Sequence, residues 1–305
     1  QLIATLDDGG LLLARILITN AGPGIQNAIA SGLWVDREGE VHAFDNVRRS
    51  DEWQLSADRR RLDIGSTHLD LTRDYARYRV DKKRIQLDVQ LPLRADAALP
   101  DGFEAPGTEA ALLAPLVPLV GTVALREWAQ PRPISGTASL VHSWSPTPAF
   151  SRARRIQVSA RGRDPLASLL LLQWQTGPAE TRSWLAVRKE DEPIETYADI
   201  AVRASGELAA GRSKDYPVPR DLEIAGPRVE GRIRAGSLLF EQNLVRAFPL
   251  PLRTIMSLAL DVRPHRVWAS AAIDVTLRAN SGGPPHRFQG EGSIATSFAD
   301  TYSGR

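Results

Sequence analysis

The stretch "GTASLVHSW", Gly136–Trp144, decides the fold because it has a second copy. The copy is "GEGSIATSF", Gly290–Phe298, offset by 154 residues in a chain of 305. Gly136 corresponds to Gly290, Ser139 to Ser293 and Ser143 to Ser297. Leu140 corresponds to Ile294, Val141 to Ala295 and Trp144 to Phe298. An internal repeat at half the chain length, with each copy ending its own half, predicts two similar domains. Their expected bounds are 1–150 and 151–305, with the Pro-rich, polar stretch Ser145–Ser151 as the linker.

Outward from this repeat, the apolar pattern has period two. Ile85, Leu87, Val89, Leu91 and Leu93 alternate with polar residues and Pro92. Ile156, Val158 and Ala160 do the same among Arg155, Gln157, Ser159 and Arg161, as do Ala271, Ile273, Val275 and Leu277. Successive side chains of a strand point to opposite faces, so each run reads as a strand with one dry and one wet face. That is the pattern of antiparallel sheets. Turn residues separate the runs: Asp7–Gly10, Asp36–Gly39, Asp81–Lys83 and Asn280–Gly283. One short helix is expected at Thr108–Leu113, capped by Thr108 and stopped by Pro115. Leu244–Leu260, broken by Pro249 and Pro251, reads as neither type. The expected class is all-β, with little helix: two antiparallel barrel or sandwich domains in tandem, closed to hide their strand edges.

Composition narrows the function. Lys plus Arg total 38 against 36 for Asp plus Glu, a net charge of +2, so there is no basic field for nucleic acid. The arginine clusters Arg59–Arg61 and Arg152, Arg154, Arg155 lack interleaved aromatics and read as solvated edges or faces. There is no cysteine, which excludes disulfides, thiolate metal sites and thiol nucleophiles. No run of 18 apolar residues occurs, so no transmembrane helix is expected. The chain opens on Gln1 in a strand-like segment rather than on Met. An exported protein, periplasmic or otherwise outside the cytoplasm, is the expectation from this, and a trimmed sequence is the alternative.

Further matches surround the repeat. "SLLLLQWQTGPAETRSWLAVRKED" at 168–191, "YPVPRDLEI" at 216–224 and "VWASAAIDV" at 267–275 join it. Together they resemble the AttH and carotenoid 1,2-hydratase (hydroxyneurosporene synthase) family of double lipocalin-like proteins, over most of the chain. That resemblance implies a tandem pair of lipocalin-like domains and a hydrophobic, isoprenoid-type ligand. The family's first motif reads roughly Gly-x-Gly-Tyr-x-Asp-His-Asn-Trp. Here Gly136, His142 and Trp144 keep their types, but the acidic position is Val141. The second acidic position is Ala295, and the strand at Trp268 carries Ala269 where members often have Glu. Protonating an alkene needs an acid held protonated in a dry site. Val141 and Ala295 cannot supply it, so hydratase activity is not expected.

No nucleophile elbow, phosphate loop or dinucleotide fingerprint is present. His68 and Asp70 share a strand face without a third metal ligand, and His42, His265 and His286 stand alone in sequence and read as turn or surface residues. No metal or cofactor is expected. His142 keeps three readings: a structural residue, a polar ligand contact, or a general acid–base group. Trp128, Trp144, Trp174 and Trp268 fall at ends of strand-like runs, where barrel mouths form. With His142 and Ser143 they make the expected ligand-binding set, and no residue is assigned as catalytic unless His142 is. The expected function is non-catalytic binding or transport of a lipid or isoprenoid. A membrane or a transporter would be the partner that exchanges the cargo. A pocket enzyme of the cyclase, pericyclase or hydratase type is the alternative, since such a site works largely by holding its substrate in shape.

Overall fold

A computed structural model describes residues 1–19, 26–94, 96–100, 103, 109–144, 154–162, 166–175, 181–190, 192–208, 218–243, 265–278 and 283–298. Among the described residues the regular structure is entirely strand. The first eleven strands are β1 (Leu2–Leu6), β2 (Leu11–Thr19), β3 (Asn27–Val35), β4 (Val41–Arg48), β5 (Trp53–Leu55), β6 (Arg61–Ile64), β7 (Thr67–Leu71), β8 (Tyr75–Asp81), β9 (Ile85–Pro92), β10 (Glu109–Leu125) and β11 (Arg132–Trp144). The other nine are β12 (Arg154–Gly162), β13 (Ala167–Gln175), β14 (Thr181–Lys189), β15 (Glu195–Tyr197), β16 (Ala201–Glu207), β17 (Pro219–Gly226), β18 (Val229–Asn243), β19 (His265–Leu277) and β20 (His286–Phe298). They form two antiparallel sheets, in two compact units. The N-terminal sheet runs β4-β3-β2-β1-β11-β10-β9-β8-β7-β6-β5, and the C-terminal one β15-β14-β13-β12-β20-β19-β18-β17-β16.

The repeat has the same job in both units: the last strand lies beside the first. Leu2 opposes Leu140 and Leu6 opposes Gly136, just as Val158 opposes Ile294 and Gly162 opposes Gly290. Glycine is required there by close approach. A Cβ on Gly136 would sit 2.3 Å from the Thr5 carbonyl oxygen, and one on Gly290 would sit 2.4 Å from that of Arg161.

The N-terminal sheet curls into a near-barrel. Its inner face is a continuous core that includes Leu12, Trp34, Phe44, Tyr78, Val89 and Leu119. The two ends of this sheet meet through side chains, β3 and β4 against β6 and β7. Ala28 and Ala30 pack on Leu62 and Ile64, and Asn46 Nδ2 donates to Thr67 Oγ1 at 2.7 Å. The C-terminal sheet is a half-barrel around Ile156, Leu169, Leu185, Ile233 and Ile294. Across its seam Gln173 Nε2 donates to the Val202 carbonyl at 2.7 Å.

Three expectations change. Glu109–Leu113 is strand rather than helix, part of the 17-residue β10, and Thr108 lies outside the described residues. A helix of one and a half turns cannot repay its own nucleation, whereas a strand there buries Leu112, Ala114, Val117 and Leu119. Pro115 and Pro118 are accommodated by a local kink: Leu116 has φ 48°, and its N–H donates to Ser139 Oγ instead of the ladder. Second, the polar positions of β12 are dry. Gln157 and Ser159 are buried on the outer face, as are Leu172 and Leu170, which oppose them there. Third, Arg154 and Arg155 are half-buried on a central strand, not on a solvated edge, while Arg59–Arg61 are exposed. The linker Ser145–Ser151 and the stretch Leu244–Leu260 lie outside the described residues.

Candidate functional site

An apolar barrel interior gains chemical specificity from the few polar atoms it buries. In the C-terminal unit these gather at one end of the inner face. Residues directly opposed across antiparallel strands share a face, so the register places Gln173, Ile156, Thr296, Val267 and Glu241 on one transverse row. The next row outward holds Gln175, Arg154, Phe298, His265 and Asn243. Core residue Ile156 marks this as the inner face.

Within this patch His265 is buried, with Nε2 2.7 Å from Glu241 Oε1. An ionised carboxylate only accepts, so Nε2 carries the proton and Nδ1 is the imidazole's acceptor nitrogen. Burial pushes the His265 pKa below the ordinary histidine value, against the opposing pull of Glu241, which keeps the ring neutral at pH 7. Thr296 is fully buried and its Oγ1 has no hydrogen-bond partner. Gln173 is 2 % exposed; its Nε2 serves the Val202 carbonyl, and its Oε1 has no partner. Each such orphan costs about 1–3 kcal/mol. Arg154 Nη2 donates to Gln175 Oε1 at 2.7 Å.

The N-terminal unit buries a sparser set. Tyr78 lies in the core with its hydroxyl unpartnered, and desolvation pushes the phenol pKa far above its usual range. Trp34 stacks on His42 with ring centroids 5.0 Å apart and meets Trp128 edge-on at 5.6 Å. Arg132 lies 3.8 Å from the centroid of the Trp128 ring.

The six residues expected at a ligand site divide among separate places. Trp128 belongs to the aromatic cluster just described. His142, Ser143 and Trp144 are the exposed end of β11, with Trp144 56 % exposed. Trp174 and Trp268 are on the outer face of the C-terminal sheet. There Trp174 opposes Arg155 and Arg182, while Trp268 opposes Ala295 and Phe240. Arg266 lies 5.4 Å from the Trp268 ring, and its Nε donates to Ser297 Oγ at 2.7 Å. His68 Nδ1 is 2.5 Å from Asp63 Oδ1, and Asp70 accepts from Arg79 at 3.0 Å.

Three histidines are corrected. His265 is buried in a strand, His42 stacks on Trp34 within β4, and His286 opens β20 with its Nε2 buried. Sequence reading missed His265 and Glu241 because 24 residues separate them. Only the pairing of β18 with β19 makes them neighbours. One signal for Thr296 was available: at the repeat offset of 154 it stands where the first copy has His142.

Comparison of folds accords with this architecture. The chain superposes on an AttH-designated protein of Nitrosomonas europaea with a TM-score of 0.65 at 14 % identity, covering 98 % of this chain and 91 % of that one. The fold is a tandem lipocalin pair. The same fold matches kievitone hydratase from Nectria haematococca (TM-score 0.60, 12 % identity, 98 % and 87 % covered). It also matches CghA in complex with Sch210972 (TM-score 0.53, 14 % identity, 99 % and 89 % covered). No protein-family pattern matches the sequence, and no curated protein matches it significantly.

Proposed function

We propose that this protein is a small-molecule pocket protein that binds a hydrophobic ligand of isoprenoid or polyene type within a lipocalin-like unit. The observation that supports this is the set of buried, unpartnered hydrogen-bonding atoms on otherwise apolar inner faces, Thr296 Oγ1 and Gln173 Oε1 foremost. Water cannot reach them, and ligand oxygens would satisfy them. Apolar contact alone supplies the affinity: at about 0.8 kcal/mol per buried CH₂, a 16-carbon chain gains roughly 13 kcal/mol gross. Association costs about 4–15 kcal/mol, so micromolar binding needs few polar contacts. The fold neighbours include a hydratase and a protein bound to a small molecule, which agrees with a ligand-handling role.

A second reading, turnover of that ligand, has one specific observation in its favour. The His265–Glu241 pair supplies an imidazole and a carboxylate in a dry site, although the motif positions Val141 and Ala295 carry none. Such a pair can hold and move a proton.

Native mass spectrometry of freshly purified protein, followed by organic extraction, tests the binding reading. A discrete apolar adduct of one molecule per chain is the expected result. Empty protein that also fails to take up any isoprenoid or polyene on incubation overturns it. Turnover is then read as conversion of the extracted ligand on prolonged incubation, lost in His265→Asn.

A further inference from the structure

The N-terminal unit buries two hydrogen-bonding groups that each hold a proton to give. Trp34 and Tyr78 are both 4 % exposed, and neither Trp34 Nε1 nor the Tyr78 hydroxyl has a hydrogen-bond partner. An indole N–H can only donate. Desolvation keeps the Tyr78 phenol protonated, so it is a donor as well. Native interiors leave few polar groups unpaired, and two buried donors in one apolar core call for an acceptor.

Both donors border the same part of the inner face. Ala14 opposes Gly32, and Ala4 lies diagonally from Ala14 because Leu2 opposes Ala14. These small residues make a low floor across β1, β2 and β3. Trp34 stands two residues beyond Gly32 on β3, on the same face. Phe44 opposes Gly32, and a Cβ there would sit 2.4 Å from Phe44 Cζ, so the ring lies over the glycine. Tyr78 packs against Phe44 from β8, with ring centroids 6.4 Å apart. An eight-stranded barrel is either filled by its side chains or holds one small ligand, and this curled sheet has eleven described strands.

From this we infer that Trp34 and Tyr78 form a carbonyl-binding site, so that the N-terminal unit takes a flat apolar molecule carrying a ketone or quinone oxygen. The inference rests on the hydrophobic-ligand reading above. One carbonyl oxygen accepts from both donors through its two lone pairs, or a quinone gives each donor an oxygen of its own. An alcohol held by both donors would keep its own proton buried without an acceptor. A carboxylate would carry a full charge out of water to meet two neutral donors. The Phe44 ring supplies a surface on which a conjugated ring stacks.

Calorimetric titration of the full chain with two matched pairs tests the site: menadione against 2-methylnaphthalene, which has the same carbon skeleton without the oxygens, and β-ionone against β-ionol. Each carbonyl compound is expected to bind about tenfold more tightly than its counterpart, the worth of one or two hydrogen bonds. In the complex its C=O stretching band should move to lower wavenumber. Tyr78→Phe, which removes only the hydroxyl, should weaken menadione about tenfold, leave 2-methylnaphthalene unchanged and move the band back. Trp34→Phe should act in the same direction, and retained binding of 2-methylnaphthalene shows that its interior is intact. Equal affinities within both pairs, the result if water satisfies the two donors, would overturn the carbonyl site while the hydrophobic reading stands. A preference untouched by Tyr78→Phe and by Trp34→Phe would do the same. Failure of all four probes to bind would overturn this inference, and the hydrophobic reading falls with it only if the protein is also empty on extraction and takes up no isoprenoid or polyene.

Discussion

The ends of β11 and β20 are the same sequence element in two settings. Up to Leu140 and Ile294 the copies are alike, each paired with the first strand of its own sheet. Beyond that point they part. The register of β1 with β11 runs from Leu2 opposite Leu140, Gln1 bonds to Val141, and His142, Ser143 and Trp144 are exposed. The ladder of β12 continues to Arg154 opposite Phe298, and β19 flanks the other side as far as His265. Thr296 and Phe298 are consequently buried, and the patch holding His265 and Glu241 exists. In the second copy β12 and β19 flank the strand on both sides along this stretch, and they enclose the candidate site.

The largest effect should come from breaking what the copies share. Gly136→Val and Gly290→Val each drive a side chain into the neighbouring backbone, at a cost of about 3 kcal/mol to their own unit. Denaturant-dependent hydrogen exchange of β1 and β12 amides would report this. Loss of protection in one unit only, or in neither, would mean that the register is not equivalent.

Next in size is truncation at the matched core position. Ile294 is 0 % exposed and Leu140 8 %, so Ile294→Ala should cost about 2.5 kcal/mol and Leu140→Ala about 2. The reverse order in urea titrations would contradict the closer enclosure of β20. Smaller still is the polar contrast. Thr296→Val removes an unsatisfied buried hydroxyl and should stabilise the unliganded protein by about 1 kcal/mol. His142→Ala, on the exposed end, should stay within about 0.5 kcal/mol. Thermal melts of both variants would sharpen or erase that difference.

The smallest effect is a pH dependence. His265 is held below its ordinary value of about 6.5 by burial, so the unfolded chain takes up its proton first. Stability of the C-terminal unit is therefore full above that value and declines as pH falls below it. His286, also lowered chiefly by burial, adds to the slope. His265→Gln should flatten the decline in part, as seen by chemical denaturation between pH 7 and pH 5. An unchanged slope would remove His265 from the buried set.

Much of the fold was legible. Period-two alternation such as Ile85–Leu91 and the turn residues Gly9 and Gly39, both at positive φ, mark local choices that the backbone makes by itself. The repeat revealed which strand closes each sheet. Glu109–Leu113 misled because a short apolar stretch fits either a helix or a strand, and the pairing of β10 with its neighbours settles it. The candidate site was hardly legible at all. Tryptophans at strand ends pointed to several places, and the histidine that mattered carried no local signal.

What the sequence by itself determined is therefore the class of structure: all-β, twofold repeated and without thiols. Those features are local, set by alternation, turn chemistry and residue identity. The tertiary structure alone decided which polar atoms meet. Thr296, His265, Glu241 and Gln173 lie on four different strands, and only the register of long antiparallel ladders brings them onto one buried face. Register depends on the packing of the whole sheet, so no short stretch of sequence encodes it.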